Sequence, residues 1–171
     1  MRGSEIKRIY IAGYRYDLRN ARCCVASIRY LYPDIPITLI KDCFYGNYST
    51  ENITKNWKVD VLDVGDRVFS WGFSKFEPLF LQKKERVLVL DADTIITGKL
   101  LEFLEQFEEE FIVSGQNVKE DFQVQQYYDP SEVEKFDSAF KHPGYAFNSG
   151  QMVLTTGIFK RSDLDDLVEF T

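Results

Sequence analysis

Short apolar runs alternate with amphipathic segments along most of the chain, and this alternation predicts strands and helices in turn. Ile9 to Ala12 is an apolar run stopped by Gly13, and it reads as a first strand. Asp17 stands at an N-cap position, and Leu18, Ala21, Val25 and Ile28 follow at helical spacing, joined by Cys24 and Leu31. Pro33 ends that helix. Ile37 to Ile40 predicts a second strand, a polar stretch covers residues 45 to 56, and Val59 to Val64 predicts a third strand. Ser74 opens the next helix, with Glu77 as its capping-box partner and Pro78 tolerated in the first turn. Arg86 to Leu90 contains the run Val87-Leu88-Val89-Leu90, the pattern of a strand buried on both faces.

The second half is less regular. Leu100, Leu101, Leu104 and Phe107 mark a short helix, and Phe111 to Val113 a strand. Residues 117 to 145 are polar, contain Pro130 and Pro143, and read as a long loop with one helical turn. Gln151 to Leu154 is the last strand. Ser162 and Asp165 then open a helix with Leu164, Leu167 and Val168 on one face. This βαβα order predicts an α/β fold with a mostly parallel central sheet and helices on both faces. With no linker-like stretch, residues 1–171 are expected to form a single domain.

Composition narrows the class. Of the 171 residues, 44% are hydrophobic and 15% aromatic, which excludes disorder for the bulk of the chain. The 27 acidic against 21 basic residues give a net charge of -6, which argues against nucleic acid as the main partner. No apolar run approaches the ~20 residues of a membrane span. Cys23, Cys24 and Cys43 form no disulfide framework or zinc pattern, and together with the lack of a signal peptide they point to a cytoplasmic protein. Met1-Arg2-Gly3-Ser4 reads as a leader added for expression. Asn47-Tyr48-Ser49 and Asn52-Ile53-Thr54 fit the glycosylation sequon but are taken as chance matches.

The sharpest chemical feature is Asp91-Ala92-Asp93 at the end of the buried strand. Ligands of open α/β sheets bind beyond the carboxyl ends of strands. Two acids one residue apart in extended chain point the same way, about 6–7 Å apart, and can share a hard divalent cation such as Mg²⁺ or Mn²⁺. A solvated turn at the end of a strand is the bland alternative. Lys75, placed just after the expected cap Ser74, offers a charge for phosphate at a helix start, although on spacing alone a surface lysine is the better explanation. Asn148-Ser149-Gly150 offers donors and acceptors suited to sugar hydroxyls, or is a plain turn. Tyr14 and Tyr16 could stack on a base or be ordinary aromatic residues. His142, the only histidine, has no nucleophile at a recognisable spacing and reads as a loop residue.

Taken together, these segments resemble the glycosyltransferases of Rossmann-like GT-A fold, in particular family 8, which includes glycogenin and bacterial lipopolysaccharide sugar transferases. Ser74-Lys75-Phe76, followed by Arg86 to Leu90 and then Asp91-Ala92-Asp93-Thr94, looks like the family's lysine helix and DxD strand. Phe147 to Leu154 looks like its Asn-Ser-Gly strand, and Ala26 to Ile40 like its first helix and second strand.

The resemblance implies transfer of a hexose, with retention of configuration, from a nucleotide-sugar donor to an acceptor that the sequence does not name. The implied donor is a UDP-sugar. Asp91 and Asp93 would hold Mn²⁺ or Mg²⁺ across the diphosphate, and the metal would neutralise charge on the leaving nucleoside diphosphate. Lys75 would contact donor phosphate or sugar, Asn148 and Ser149 would face the transferred sugar, and Ala12, Gly13, Tyr16 and Ala92 would line the donor site.

Two departures are plain. The family's Asn-Asp-x-Tyr pattern is replaced by Gly13-Tyr14-Arg15-Tyr16-Asp17, and its third metal ligand, a histidine, and its Asp-Gln pair would lie beyond Thr171. The chain is therefore expected to lack the C-terminal part of such an enzyme, and an inactive or truncated donor-binding module is the alternative. A haloacid-dehalogenase-like phosphatase is a further rival, weakened by Ile95 two residues beyond the second Asp and by the position of the motif past mid-chain. An oligomer is compatible with the sequence.

Overall fold

The structure, a computed structural model, describes residues 4–65, 72–117, 129–141 and 145–166. The strands are β1 (Arg8–Gly13), β2 (Ile37–Asp42), β3 (Val59–Gly65), β4 (Arg86–Asp91), β5 (Phe111–Asn117) and β6 (Tyr145–Thr155). The α-helices are α1 (Leu18–Leu31), α2 (Glu51–Trp57), α3 (Leu100–Leu104) and α4 (Pro130–Phe136). Among the described residues, 3₁₀ stretches cover Arg15–Asp17, Phe73–Phe80 and Arg161–Leu164.

The strands form one sheet in the order β3-β2-β1-β4-β6-β5. β1 pairs in parallel with β2 and β4, and β2 with β3. β6 runs antiparallel to both of its neighbours, β4 and β5. The expected α/β fold with a mostly parallel sheet is the one observed, β6 being the reversed strand.

Side-chain alternation divides the core between the two faces of the sheet. Ile9, Ile11, Leu39, Leu88 and Leu90 point to one face, where Ala21, Cys24, Val25 and Ile28 of α1, Ile53 of α2 and Leu101 of α3 cover them. Tyr10, Ala12, Ile40, Val87 and Val89 point to the other, where Leu79, Phe73 and Phe76 of the long 3₁₀ stretch pack. Each fully buried Leu or Ile contributes about 1.5–3 kcal/mol relative to exposure. Both faces thus have helical cover, α-helical on one side and 3₁₀ on the other.

Several local expectations are corrected. Ser74 and Glu77 do not form a capping box. The cap position is Gly72, in the left-handed region at φ 83°, while Ser74 is buried and Glu77 pairs with Arg161. The segment winds as a 3₁₀ helix that accommodates Pro78. Asp17 occupies the N-cap position of α1, but its side chain accepts instead from the Tyr14 backbone N–H at 3.0 Å. α2 arises within the polar stretch, because Ile53 and Trp57, one turn apart, suffice to dock it. The Asn-Ser-Gly segment lies inside a strand: past an irregularity between Val113 and Ser114, pairing between β5 and β6 continues from Asn148 back to Tyr145.

Ser4 of the expected leader is buried, whereas residues 1–3, His142, Pro143 and the stretch containing Leu167 and Val168 lie outside the described residues. Among the described residues, no helix is long and apolar enough to cross a membrane.

Candidate functional site

The order of the sheet reverses between β1 and β4. β1 connects through α1 to β2 on one side, while β4 pairs on its other side, so the chain leaves the carboxyl ends of the two strands in opposite directions and opens a crevice there. Ala12 and Asp91 are register partners at this point. A cleft of about 250 Å³ opens beyond them, lined by Ala12, Tyr14, Tyr16, Asp17, Tyr45, Gly72, Ser74, Lys75, Asp91, Ala92 and Asp93.

The DxD segment is held by its backbone. The Ala92 N–H donates to the Ala12 carbonyl at 3.1 Å, and the Thr94 N–H to the Asp91 carbonyl at 3.1 Å, which turns the chain at the rim of the core. Ala92 is buried, whereas Asp93 is exposed and Asp91 half-buried. Lys75, from the 3₁₀ stretch, reaches across to Asp91 with Nζ 2.6 Å from Oδ1. The same ammonium donates to Ser149 Oγ at 3.2 Å. Three residues far apart in sequence therefore meet at one ammonium group.

β6 approaches Asp91 closely. A Cβ at Gly150 would lie 2.9 Å from Asp91 Oδ2 and 2.9 Å from Asn148 Oδ1, so only a glycine leaves both oxygens where they are. Asn148 Oδ1 accepts the Gly150 N–H at 2.7 Å. This is the physical content of the Asn-Ser-Gly segment: not a turn, but a strand thinned at Gly150 so that two oxygen-bearing side chains converge over its backbone.

The remaining wall is aromatic. The Tyr45 ring lies 5.5 Å from that of Tyr14 and 6.2 Å from that of Tyr16, and Phe44 packs edge-on to Tyr45 at 5.0 Å. The Gly72 N–H donates to the Tyr14 hydroxyl. Burial pushes the Tyr14 phenol up to about 12 despite that hydrogen bond, so it stays a neutral hydroxyl at physiological pH. Tyr48 ties the β2–α2 loop to the first strand, its hydroxyl donating to the Gly13 carbonyl at 2.6 Å.

The cleft thus brings together Ala12, Tyr16, Lys75, Asp91, Ala92 and Asp93. Ser149 reaches it through Lys75, and Asn148 sits with Asp91 over Gly150. Gly13 is next to the cleft rather than on its wall: its Cα faces Leu39, Ala92 and Asp17, and its carbonyl is taken by Tyr48. Tyr45, Gly72 and Asp17 are lining residues that sequence reasoning did not assign. Tyr45 carried no spacing signal, because it lies in an irregular loop that only the folded chain brings to Tyr14.

A divalent cation fits part of this donor set. Asp91 and Asp93 supply hard carboxylate oxygen at the cleft, and Asp91 Oδ2 and Asn148 Oδ1 face the same point above Gly150. Among the described residues, no group of three or more His, Cys, Asp or Glu side chains gathers to hold a metal. Two carboxylates suit an ion such as Mg²⁺, which takes its other ligands from substrate phosphate and water.

No family model matches the chain, and no curated protein matches it in sequence. Solved structures do. The chain is similar to the glycosyltransferase GlyE of Streptococcus pneumoniae TIGR4, with 17% identity and a TM-score of 0.53 over 88% of this chain and 34% of that one. It is similar to the galactosyltransferase LgtC, solved with donor and acceptor sugar analogues, with 14% identity and a TM-score of 0.54 over 86% of this chain and 57% of that one. A third match is the bifunctional glycosyltransferase WbbM, at 16% identity and a TM-score of 0.55 over 96% of this chain and 32% of that one. The chain therefore has a glycosyltransferase fold and spans between about a third and just over half the length of these proteins. They lend no support to the phosphatase alternative.

Proposed function

We propose that the chain is the nucleotide-sugar-binding domain of a glycosyltransferase of the family 8 type, and that its cleft takes a UDP-sugar together with Mn²⁺ or Mg²⁺. One observation carries this reading. The cleft at the β1–β4 reversal has a wall of tyrosines and, in the same cavity, a lysine with two carboxylates. An aromatic wall suits a base, and the charged group suits a diphosphate with its cation, so the lining has the chemistry of a nucleoside diphosphate.

In this reading Tyr14, Tyr16 and Tyr45 receive the base, and Ala12 and Ala92 leave room for the ribose. Asp91 and Asp93 hold the metal, which when bound would neutralise charge on the departing diphosphate. Lys75 supplies a fixed positive charge to the phosphates or the sugar. Asn148 and Ser149 orient the hexose by hydrogen bonds to its hydroxyls. Gly150 lets Asp91 and Asn148 approach the same point, a positioning role that depends on the absence of a side chain. Transfer goes to an acceptor hydroxyl with retention of configuration.

Titration calorimetry with UDP, with and without Mn²⁺, tests the donor site. Wild type is expected to bind UDP in a Mn²⁺-dependent manner, and Asp93→Ala to lose the metal dependence. Absence of UDP binding, or binding indifferent to metal in wild type, rejects the reading.

A further inference from the structure

We propose that Lys75 couples the loading of the divalent cation to that of the diphosphate, because it is itself the cation that Asp91 holds until both arrive. The inference rests on the donor-site reading above and goes beyond it by assigning an order to the site.

The Lys75 side chain is 14% exposed, so its ammonium has little water of its own. Its partners are Asp91 Oδ1 at 2.6 Å and Ser149 Oγ at 3.2 Å. The carboxylate that a metal needs is therefore already neutralised. A divalent cation arriving alone must take Asp91 from Lys75, leave the ammonium with one neutral hydroxyl, and then sit beside it. Like charges a few ångströms apart in a half-buried site repel strongly, and a buried charge stripped of its counter-ion is costly.

Asp93 offers no independent anchor, being exposed and, among the described residues, without a third acidic, histidine or cysteine ligand gathered around it. A diphosphate arriving with the cation changes the balance. Lys75 exchanges a carboxylate for phosphate oxygens, and Asp91 exchanges an ammonium for the metal. Every charge keeps a partner throughout the exchange. Free metal is thus discriminated against, and the metal–diphosphate complex is the species admitted. By linkage, metal and diphosphate must raise each other's affinity by the same factor.

The test measures Mn²⁺ binding to the 171-residue chain, alone and with UDP, by water-proton relaxation, with thermal melting to verify that each variant is folded. Wild type is expected to bind Mn²⁺ alone weakly and to gain about tenfold or more when UDP is present. Lys75→Met is expected to bind Mn²⁺ alone about tenfold or more tightly than wild type and to gain less from UDP than wild type does, the remaining gain coming from phosphate oxygens on the metal. Lys41→Met is the control for net charge: Lys41 lies near the same end of the sheet, paired with Asp63 at 2.8 Å, and its removal is expected to leave Mn²⁺ affinity unchanged.

Equal Mn²⁺ affinity in wild type and Lys75→Met overturns the proposal, as does an equal gain in Lys41→Met. Should Lys75→Met not fold, Lys75→Gln takes its place under the same criterion, and a wild-type Mn²⁺ affinity indifferent to UDP also overturns the coupling. Absence of UDP binding under every condition overturns the donor reading, and the coupling with it.

Discussion

β4 and β6 are neighbours in one sheet, yet they solve opposite problems. β4 lies between two strands, and its apolar run is buried along its whole length. β6 is buried continuously only from Met152 to Thr155, with Gly150 buried before it, while Tyr145, Phe147, Asn148 and Gln151 are exposed. One strand is a packed rod that carries Asp91 at its tip. The other is buried at one end and changes register against β5, presenting Asn148, Ser149 and Gly150 alongside that tip. The candidate site is thus built by setting a partly exposed, irregularly paired strand against a fully packed one.

Truncating each strand in turn gives the largest contrast. Leu90→Ala removes a side chain that is 1% exposed and is expected to cost about 2–5 kcal/mol in urea denaturation. Phe147→Ala, where the ring is 38% exposed, is expected to cost less than about 1 kcal/mol. Comparable losses would mean that β6 is as much a part of the core as β4.

The point where the two strands meet is probed by Gly150→Ala. The new methyl group would displace the Asp91 and Asn148 side chains rather than backbone, so stability is expected to fall by only about 1 kcal/mol. Metal-dependent UDP binding, as proposed for the cleft, is expected to weaken by about tenfold or more in calorimetry, because Asp91 lines the cleft and would be displaced.

An effect that vanishes at neutral pH and grows only in alkaline solution belongs to the packed side. Burial pushes the Cys24 thiol on α1 from its ordinary 9.0 up to about 12. Between these values the unfolded chain releases the proton while the folded chain keeps it, so stability is fully present below pH 9 and falls as the pH rises toward 12. Denaturation melts across this window are expected to show the slope in wild type and a shallower one in Cys24→Ala.

The same contrast explains what could be read from the sequence. The packed half was legible because burial writes itself as pattern: Val87 to Leu90 for β4, and Ala21, Val25 and Ile28 for α1. The Asp91-Ala92-Asp93 motif was legible because it follows such a run directly. The rest depends on partners that composition does not announce. β6 reaches back to Tyr145 because β5 is there to pair with it. The Ser74–Glu77 pattern has the spacing of a cap, but Arg161 takes Glu77 and tertiary packing buries Ser74. Tyr45 joins the cleft through a loop whose path is set by Phe44, Tyr48 and the end of β2.

The reversal between β1 and β4 also has a consequence in time. A chain synthesised from its N-terminus has β1, β2 and β3 in hand well before β4 exists. These strands can pair at once, which leaves β1 with one open edge and a row of unanswered amides and carbonyls. That edge stays open until β4 is made, and loop closure over so long a separation is slow. That edge borders the cleft, and the β4–β6 seam that brings Ser149 and Gly150 to Lys75 and Asp91 closes later still. Maturation of the fold and the appearance of the site are therefore a single late event, and the nascent protein is most exposed to mispairing just before it acquires anything to bind.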